Sequence, residues 1–170
     1  MSDPMTLPDA GLLPSDFRTL MATFPTGVCV VTAFDADGRP RGMTCSSVCS
    51  VSLEPPTLLV CLRTGSPTLS AILGRPRFAV NFLHHGAQAT AELFASGEPT
   101  RFDRVRWRAA GGGVPHLVDD AHSVADCLMT ASQEIGDHIV VYGEVLDVTH
   151  RPQPRPLLYG LRRYTAWPHH

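Results

Sequence analysis

The stretch 42-GMTCSSVCSVSLEPPTLLVCL-62 gathers three thiols, Cys45, Cys49 and Cys61, among the hydroxyls of Thr44, Ser46, Ser47, Ser50 and Ser52. Two chemistries open from these residue types. Thiolates hold metals or attack electrophiles. Hydroxyls joined to backbone N–H groups cradle a phosphate with little positive charge. The spacing speaks against the first. A structural zinc site uses two close cysteine or histidine pairs, whereas the cysteines here stand at 29, 45, 49, 61 and 127. Cys45 and Cys49 fall in a segment that reads as strand, where a separation of four spreads them along one face. Cys29 and Cys61 lie among valines and leucines and read as small buried hydrophobes. No local signature marks a cysteine–histidine nucleophile.

The hydroxyl reading has more support. The segment 66-SPT-68 looks like a capped helix start, which presents free N–H donors and a positive dipole end. Arg63 stands three residues earlier and adds charge. A strand of hydroxyls facing that helix start makes an anion cradle; the plain alternative is solvent-facing strand serine and threonine. His138 follows Gly136 and Asp137 at a turn and opens a strand, where its ring can face a barrel mouth or only solvent. His84 and His85 carry the same two readings. The segment 101-RFDRVRW-107 sets three arginines beside Phe102 and Trp107, suited to covering a small anionic aromatic ligand. Neither a G-x-x-x-x-G-K-[ST] loop nor a G-x-G-x-x-G fingerprint is present.

These residues need elements to position them. Phe17, Leu20, Met21 and Phe24 recur at helical spacing, so 15–24 reads as a short amphipathic helix capped by Ser15. The β-branched run 27–34, a turn at 35-DADG-38 and a return strand over 39–52 form a hairpin. A strand at 57–62 follows, then a helix from Ser66 and Pro67 to Gly74, a strand at 77–83 and a helix at 87–96. Residues 99–123 read as a long functional loop with a triple glycine. Strands at 124–133 and 138–148 surround a turn at 136–137, and a last strand spans 157–164. Strands outnumber helices without regular βαβ alternation. The expected fold is therefore a mainly antiparallel sheet closed toward a barrel, with helices outside.

With 170 residues, 44% of them hydrophobic and 18% charged, the chain suits one soluble domain over 15–166, flanked by tails at 1–14 and 167–170. A net charge of −2 gives no electrostatic case for nucleic acid or anionic membrane. No apolar run is long enough to span a bilayer. The acidic start has no basic region before an apolar core, so no signal peptide is read. A cytoplasmic, reducing compartment follows as an expectation, with the five cysteines mostly free thiols.

Several separated segments agree with one family. The pieces 24-FPTGVCVVT-32, 42-GMTCSSVCSVSLEPPTLLVC-61, 66-SPT-68, 78-FAVNFL-83, 101-RF-102 with Trp107, 113-GVPHL-117, 136-GDHIVVYGEV-145 and 157-LLYGLRRY-164 occur in the family's order across roughly residues 17–164. The chain resembles the short-chain flavin reductases of two-component flavin-dependent monooxygenase systems. That resemblance implies an antiparallel split β-barrel with accessory helices, usually a homodimer, that binds FMN or FAD. It implies hydride transfer from NADH or NADPH to flavin, and reduced flavin supplied to a separate monooxygenase. Carried over by motif, Thr26 and Gly27 lie near the flavin, and Met43, Thr44 and Cys45 line its ring. Ser46, Ser47, Arg63, Ser66 and Thr68 hold the ribityl phosphate region. His138 contacts the nicotinamide, Tyr159 and Tyr164 close the pocket, and Phe102 and Trp107 form the loop over it. The chain departs from the family at Val48, often a bulky aromatic, at Cys45, often small and not a thiol, and near Arg63–Thr64, where Asn or Lys is frequent. These departures leave the choice of FMN or FAD open. A non-catalytic flavin- or haem-binding protein on the same barrel is the alternative, and a pyridoxamine-phosphate-oxidase-like enzyme a more distant one.

Overall fold

Residues 11–152 and 155–168 are described in the computed structural model; of the expected tails, only 11–14 and 167–168 fall within that range. The first helix, α1 (Pro14–Ala22), starts at a proline whose fixed φ suits the first helical position. Leu13 occupies the cap position, so the expected Ser15 cap is corrected: Ser15 lies inside the first turn and its carbonyl accepts from the Thr19 hydroxyl. The amphipathic face is real in sequence, yet no residue of α1 is buried.

The β-branched run after Pro25 becomes β1 (Thr26–Gly27) and β2 (Cys29–Phe34). β2 is covered on both faces. Cys29, Val31 and Ala33 enter one apolar cluster, and Val28 and Val30 enter another, as the two-residue side-chain period requires. A turn held by the Asp35 carboxylate, which accepts from the backbone N–H groups of Asp37 and Arg39, reverses the chain. β3 (Pro40–Cys45) returns antiparallel, with Met43 opposite Val31 and Cys45 opposite Cys29.

The expected single strand over 39–52 is broken. Ser46 and Ser47 leave the ladder, and β4 (Val48–Leu53) pairs with β5 (Pro56–Arg63). The break is a corner: β3 belongs to one end of the sheet and β4 to the other. Ser47 stabilises it, its carbonyl accepting from the Cys61 N–H at 3.3 Å and its hydroxyl donating to the Cys61 carbonyl at 3.1 Å.

The remaining elements are α2 (Pro67–Gly74), β6 (Arg77–Leu83), α3 (Gln88–Ala95), β7 (Trp107–Ala109), β8 (Pro115–Leu117), β9 (Ala121–Ile135), β10 (His138–His150), β11 (Leu157–Gly160) and β12 (Arg163–Ala166). The main sheet runs β3-β2-β6-β9-β10-β5-β4, with each pairing antiparallel. The corner contacts bring its two ends back together around a core that includes Val31, Val60, Leu62, Phe78 and Val141. α3 and the β7–β8 hairpin cover the outer cluster. The expected antiparallel, mainly β fold with outer helices is therefore borne out.

Two other expectations change. The 99–123 loop contains a 3-10 turn at Arg101–Arg104 and the β7–β8 hairpin, elements too short to leave a periodic pattern. A buried His116–Asp126 contact of 2.5 Å anchors that hairpin to β9. The last strand is a hairpin, β11–β12, whose turn residues Leu161 and Arg162 both have positive φ, 50° and 60°.

Candidate active site

β3 and the corner after it run along three cavities. At the β3 end, a cavity of about 500 Å³ is lined by Met43, Thr44, Arg63, Ser66, Thr68 and Arg101, among others. α2 ends there. Its cap, Ser66, accepts from the Leu69 N–H at 3.2 Å, so the hydroxyl proton of Ser66 is left for a ligand. A helix N-terminus with two nearby guanidinium groups attracts an anion. Arg101 lies over the Phe94 ring, 5.9 Å from its centroid, and donates to the Phe94 carbonyl at 3.4 Å. Partial burial, and then repulsion from Arg41, lower its pKa. Thr44 differs from the expected flavin contact. Its hydroxyl donates to the Ala91 carbonyl at 2.6 Å, tying β3 to α3 rather than offering a proton to the cavity. Gly42 permits that approach: a Cβ there would stand 2.9 Å from Phe94 and 3.1 Å from Phe102.

Beyond the corner lies a cavity of about 740 Å³, whose wall includes Arg18, Phe24, Ser46, Ser47, Tyr159 and Arg162. A smaller one, about 250 Å³, is lined by Thr26, Gly27, Cys29, Ser46, Val48 and Phe82, among others. Phe24, Thr26, Ser46 and Val48 belong to both walls. Ser46 is exposed, and its hydroxyl has no protein partner among the described residues. Cys45 is buried behind this wall, its sulfur 3.2 Å from the Ser47 hydroxyl. Hydrogen bonding from the Cys29 side chain, helped by Ser47 and opposed by burial, brings the Cys45 thiol down to about 6. The same contact and burial push Cys29 well up.

The β9–β10 turn docks beside the first cavity. His138 stands opposite Arg63 in register, and the Asp137 carbonyl accepts from the Thr64 N–H at 2.9 Å. The His138 Nδ1 lies 2.8 Å from the Asp137 carboxylate, which orients the ring and lowers the Asp137 pKa. The His138 side chain keeps 46% of its exposure, so it remains reachable.

Thus Thr26, Gly27, Met43, Thr44, Ser46, Ser47, Arg63, Ser66, Thr68 and Tyr159 line one or more of the three cavities. Tyr164 stands one layer back, its ring 5.0 Å from that of Tyr159. Phe102 is placed differently from the expected lid. It is buried, edge-on to Phe94 and Trp107, and supports β3 from below. Sequence reasoning passed over Arg18, Phe24, Arg101 and Arg162 as wall residues. Phe24, Arg101 and Arg162 sat in quoted motifs and carried the signal; Arg18 gave none.

A flavin requires an apolar slot for its ring and donors for its phosphate. Phe24, Val48 and Phe82 offer the first, and Arg63, Arg101 and the Ser66-capped helix start offer the second. Residues 21–168 match the family model described as flavin reductase like domain. The chain is 48% identical over 161 residues to a flavin reductase (NADPH) of Lentzea aerocolonigenes, covering 94% of each. It is 36% identical over 153 residues to the reductase subunit of a flavin-dependent monooxygenase of Rhodococcus jostii, covering 90% of this chain and 77% of that protein. An NADH:FAD oxidoreductase of Streptomyces globisporus C-1027, solved in complex with NAD and FAD fragments, matches with a TM-score of 0.85 at 33% identity, covering 91% of this chain and 92% of that one. The chain belongs to the flavin-reductase-like family. The expected class, an NAD(P)H-dependent flavin reductase of split-barrel type, is borne out, and the binding-only alternative loses its ground.

Proposed function

We propose that the protein takes hydride from NADH or NADPH to reduce FMN or FAD, and that the reduced flavin serves a separate monooxygenase. The observation that carries this reading is the run of cavities along β3 and its corner, with an apolar slot of Phe24, Val48 and Phe82 at one end and Arg63 and Arg101 at a helix start at the other. Bound flavin supplies the electron-accepting ring, so neither metal nor protein nucleophile is required. The protein's work is alignment. Phe24, Val48 and Phe82 shape a slot for the ring; Ser46, expected with Ser47 at the phosphate, instead offers its hydroxyl along the ring's edge, and Ser47 holds the corner beside it. Arg63, Arg101 and Ser66 hold the phosphate end. His138, oriented by Asp137, meets the nicotinamide from the β9–β10 turn.

The exposed apolar residues of α1, Phe17, Leu20 and Met21 with Phe24 after it, favour a homodimer in which a second copy covers that face. The compartment is the cytoplasm, where nicotinamide nucleotides are kept; no helix among the described residues is long and apolar enough to cross a membrane.

Purified protein mixed with each nicotinamide and each flavin in the four pairings tests the activity. Rapid, flavin-dependent loss of nicotinamide absorbance in at least one pairing is expected, and its absence from all four would overturn the reading.

A further inference from the structure

Hydride transfer leaves the Cys29–Cys45 pair unused. The two residues stand directly opposite each other across β2 and β3 and share one buried cluster. Opposed residues of antiparallel strands hold their Cα atoms roughly 4.5 to 5.5 Å apart. That lies inside the range of about 4.4 to 6.8 Å that a disulfide spans. The Cys29 thiol donates to the Cys45 carbonyl at 3.1 Å. The Cys45 sulfur rests between the Ser47 hydroxyl, at 3.2 Å, and the Cys61 carbonyl, at 3.8 Å. Their mutual contact holds the Cys45 thiol below its ordinary value and, with burial, Cys29 well above it, so Cys45 is the sulfur of the pair that gives up its proton first. One sulfur is a nucleophile and its neighbour a protonated partner. Cys29 also lines the small cavity with Thr26, Gly27 and Ser46, while Cys45 stands directly behind it at 6% exposure, so a molecule the size of a peroxide in that cavity is one residue from the Cys45 sulfur.

We propose that Cys29 and Cys45 form a peroxide-oxidised dithiol that closes the flavin site. The Cys45 thiolate attacks one oxygen of hydrogen peroxide, the O–O bond breaks, and sulfenic acid and hydroxide result. The Cys29 sulfur then attacks the Cys45 sulfur. The S–S bond forms, the S–O bond breaks, and the departing hydroxide takes the Cys29 proton as water. The first hydroxide takes up the proton that Cys45 released, so two thiols and one peroxide give one disulfide and two waters. A dithiol reductant returns two electrons and two protons and restores the pair. The oxidant arises when reduced flavin meets dioxygen instead of an acceptor; this source, but not the dithiol chemistry, rests on the proposed activity. The new bond draws the Cys45 sulfur from its Ser47 and Cys61 contacts and shifts the corner that walls the cavities.

Stoichiometric hydrogen peroxide added to the intact protein tests the pair by mass and peptide mapping. Expected are a loss of about 2 Da, a peptide linking residues 29 and 45, and turnover lowered roughly ten-fold or more, restored by dithiothreitol. Cys29→Ala should instead gain about 16 Da at Cys45, whereas Cys49→Ala should keep the loss of about 2 Da. A link from Cys45 to Cys61, oxidation confined to Cys49, or linked protein with full turnover would each overturn the proposal. A second arm runs turnover in air with and without catalase. A link that forms with added peroxide but not during turnover leaves the dithiol and removes its source, while absent nicotinamide oxidation points to the activity itself.

Discussion

His138 is held by one contact, to the carboxylate of Asp137 one residue away, and stands opposite Arg63 across the ladder. A ring so held can orient a nicotinamide without taking part in bond making. His138→Ala should lower kcat/KM for the nicotinamide about ten-fold, close to the 1.4 kcal/mol of one modest contact, and leave flavin Kd nearly unchanged. Steady-state kinetics beside flavin titration separates the two; an equal loss in both would reassign the ring. The buried thiols give a pH signature. Burial pushes Cys127 up to about 12, above its ordinary value of 9.0. Its neutral form is stabilising below pH 9, and that contribution is lost as the pH climbs from 9 toward 12. Cys45, lowered to about 6, acts with the opposite sign: its contribution is complete above 9 and lost as the pH falls through 6. Thermal melts in pH steps should therefore show a fall above 9 that is shallower in Cys127→Ala.

At the scale of elements, the β11–β12 turn is the place where sequence preference and structure disagree. A two-residue turn with both φ values positive suits Asn-Gly, yet Leu161 and Arg162 occupy it. Strain of this kind, on the order of 1 kcal/mol or more per residue, accompanies an arginine that lines the largest of the three cavities. Replacing both residues with Asn-Gly should raise Tm by about 2–4 °C per kcal/mol relieved while raising KM for nicotinamide or flavin several-fold. Melting curves and kinetics on the same preparation check the trade. The elements that the sequence made legible were those with strong local chemistry. Ser66-Pro67 and Gly74 bounded α2, and the run 77–83 matched β6 residue for residue. The corner at Ser46–Ser47 was hidden because β3 and β4 together look like one alternating strand; only pairing to opposite ends of the sheet separates them. Likewise Thr44 and Phe102 carried the right residue types for a ligand site, but α3 claims the first and the outer core claims the second. Such competition is tertiary and leaves no mark on local pattern.

For the molecule as a whole, α1 is the unfinished part. Its apolar stripe is well formed in sequence and finds nothing to bury against among the described residues, with Phe17 and Leu20 more than half exposed, at 53% and 61%. Phe17→Asp with Leu20→Asp should shift the protein from dimer to monomer in sedimentation while its circular dichroism stays that of the parent. A parent that already sediments as a monomer would refute the homodimer. Met21 and Phe24 have a double position: they belong to this bare surface and also to the wall of the large cavity. Association and ligand occupancy therefore compete for, or cooperate through, the same two side chains. Reciprocity makes the relation quantitative. Whatever factor a covering partner applies to ligand affinity, the ligand applies to the partner's, so the dissociation constant of the proposed homodimer becomes a readout of how full the site is.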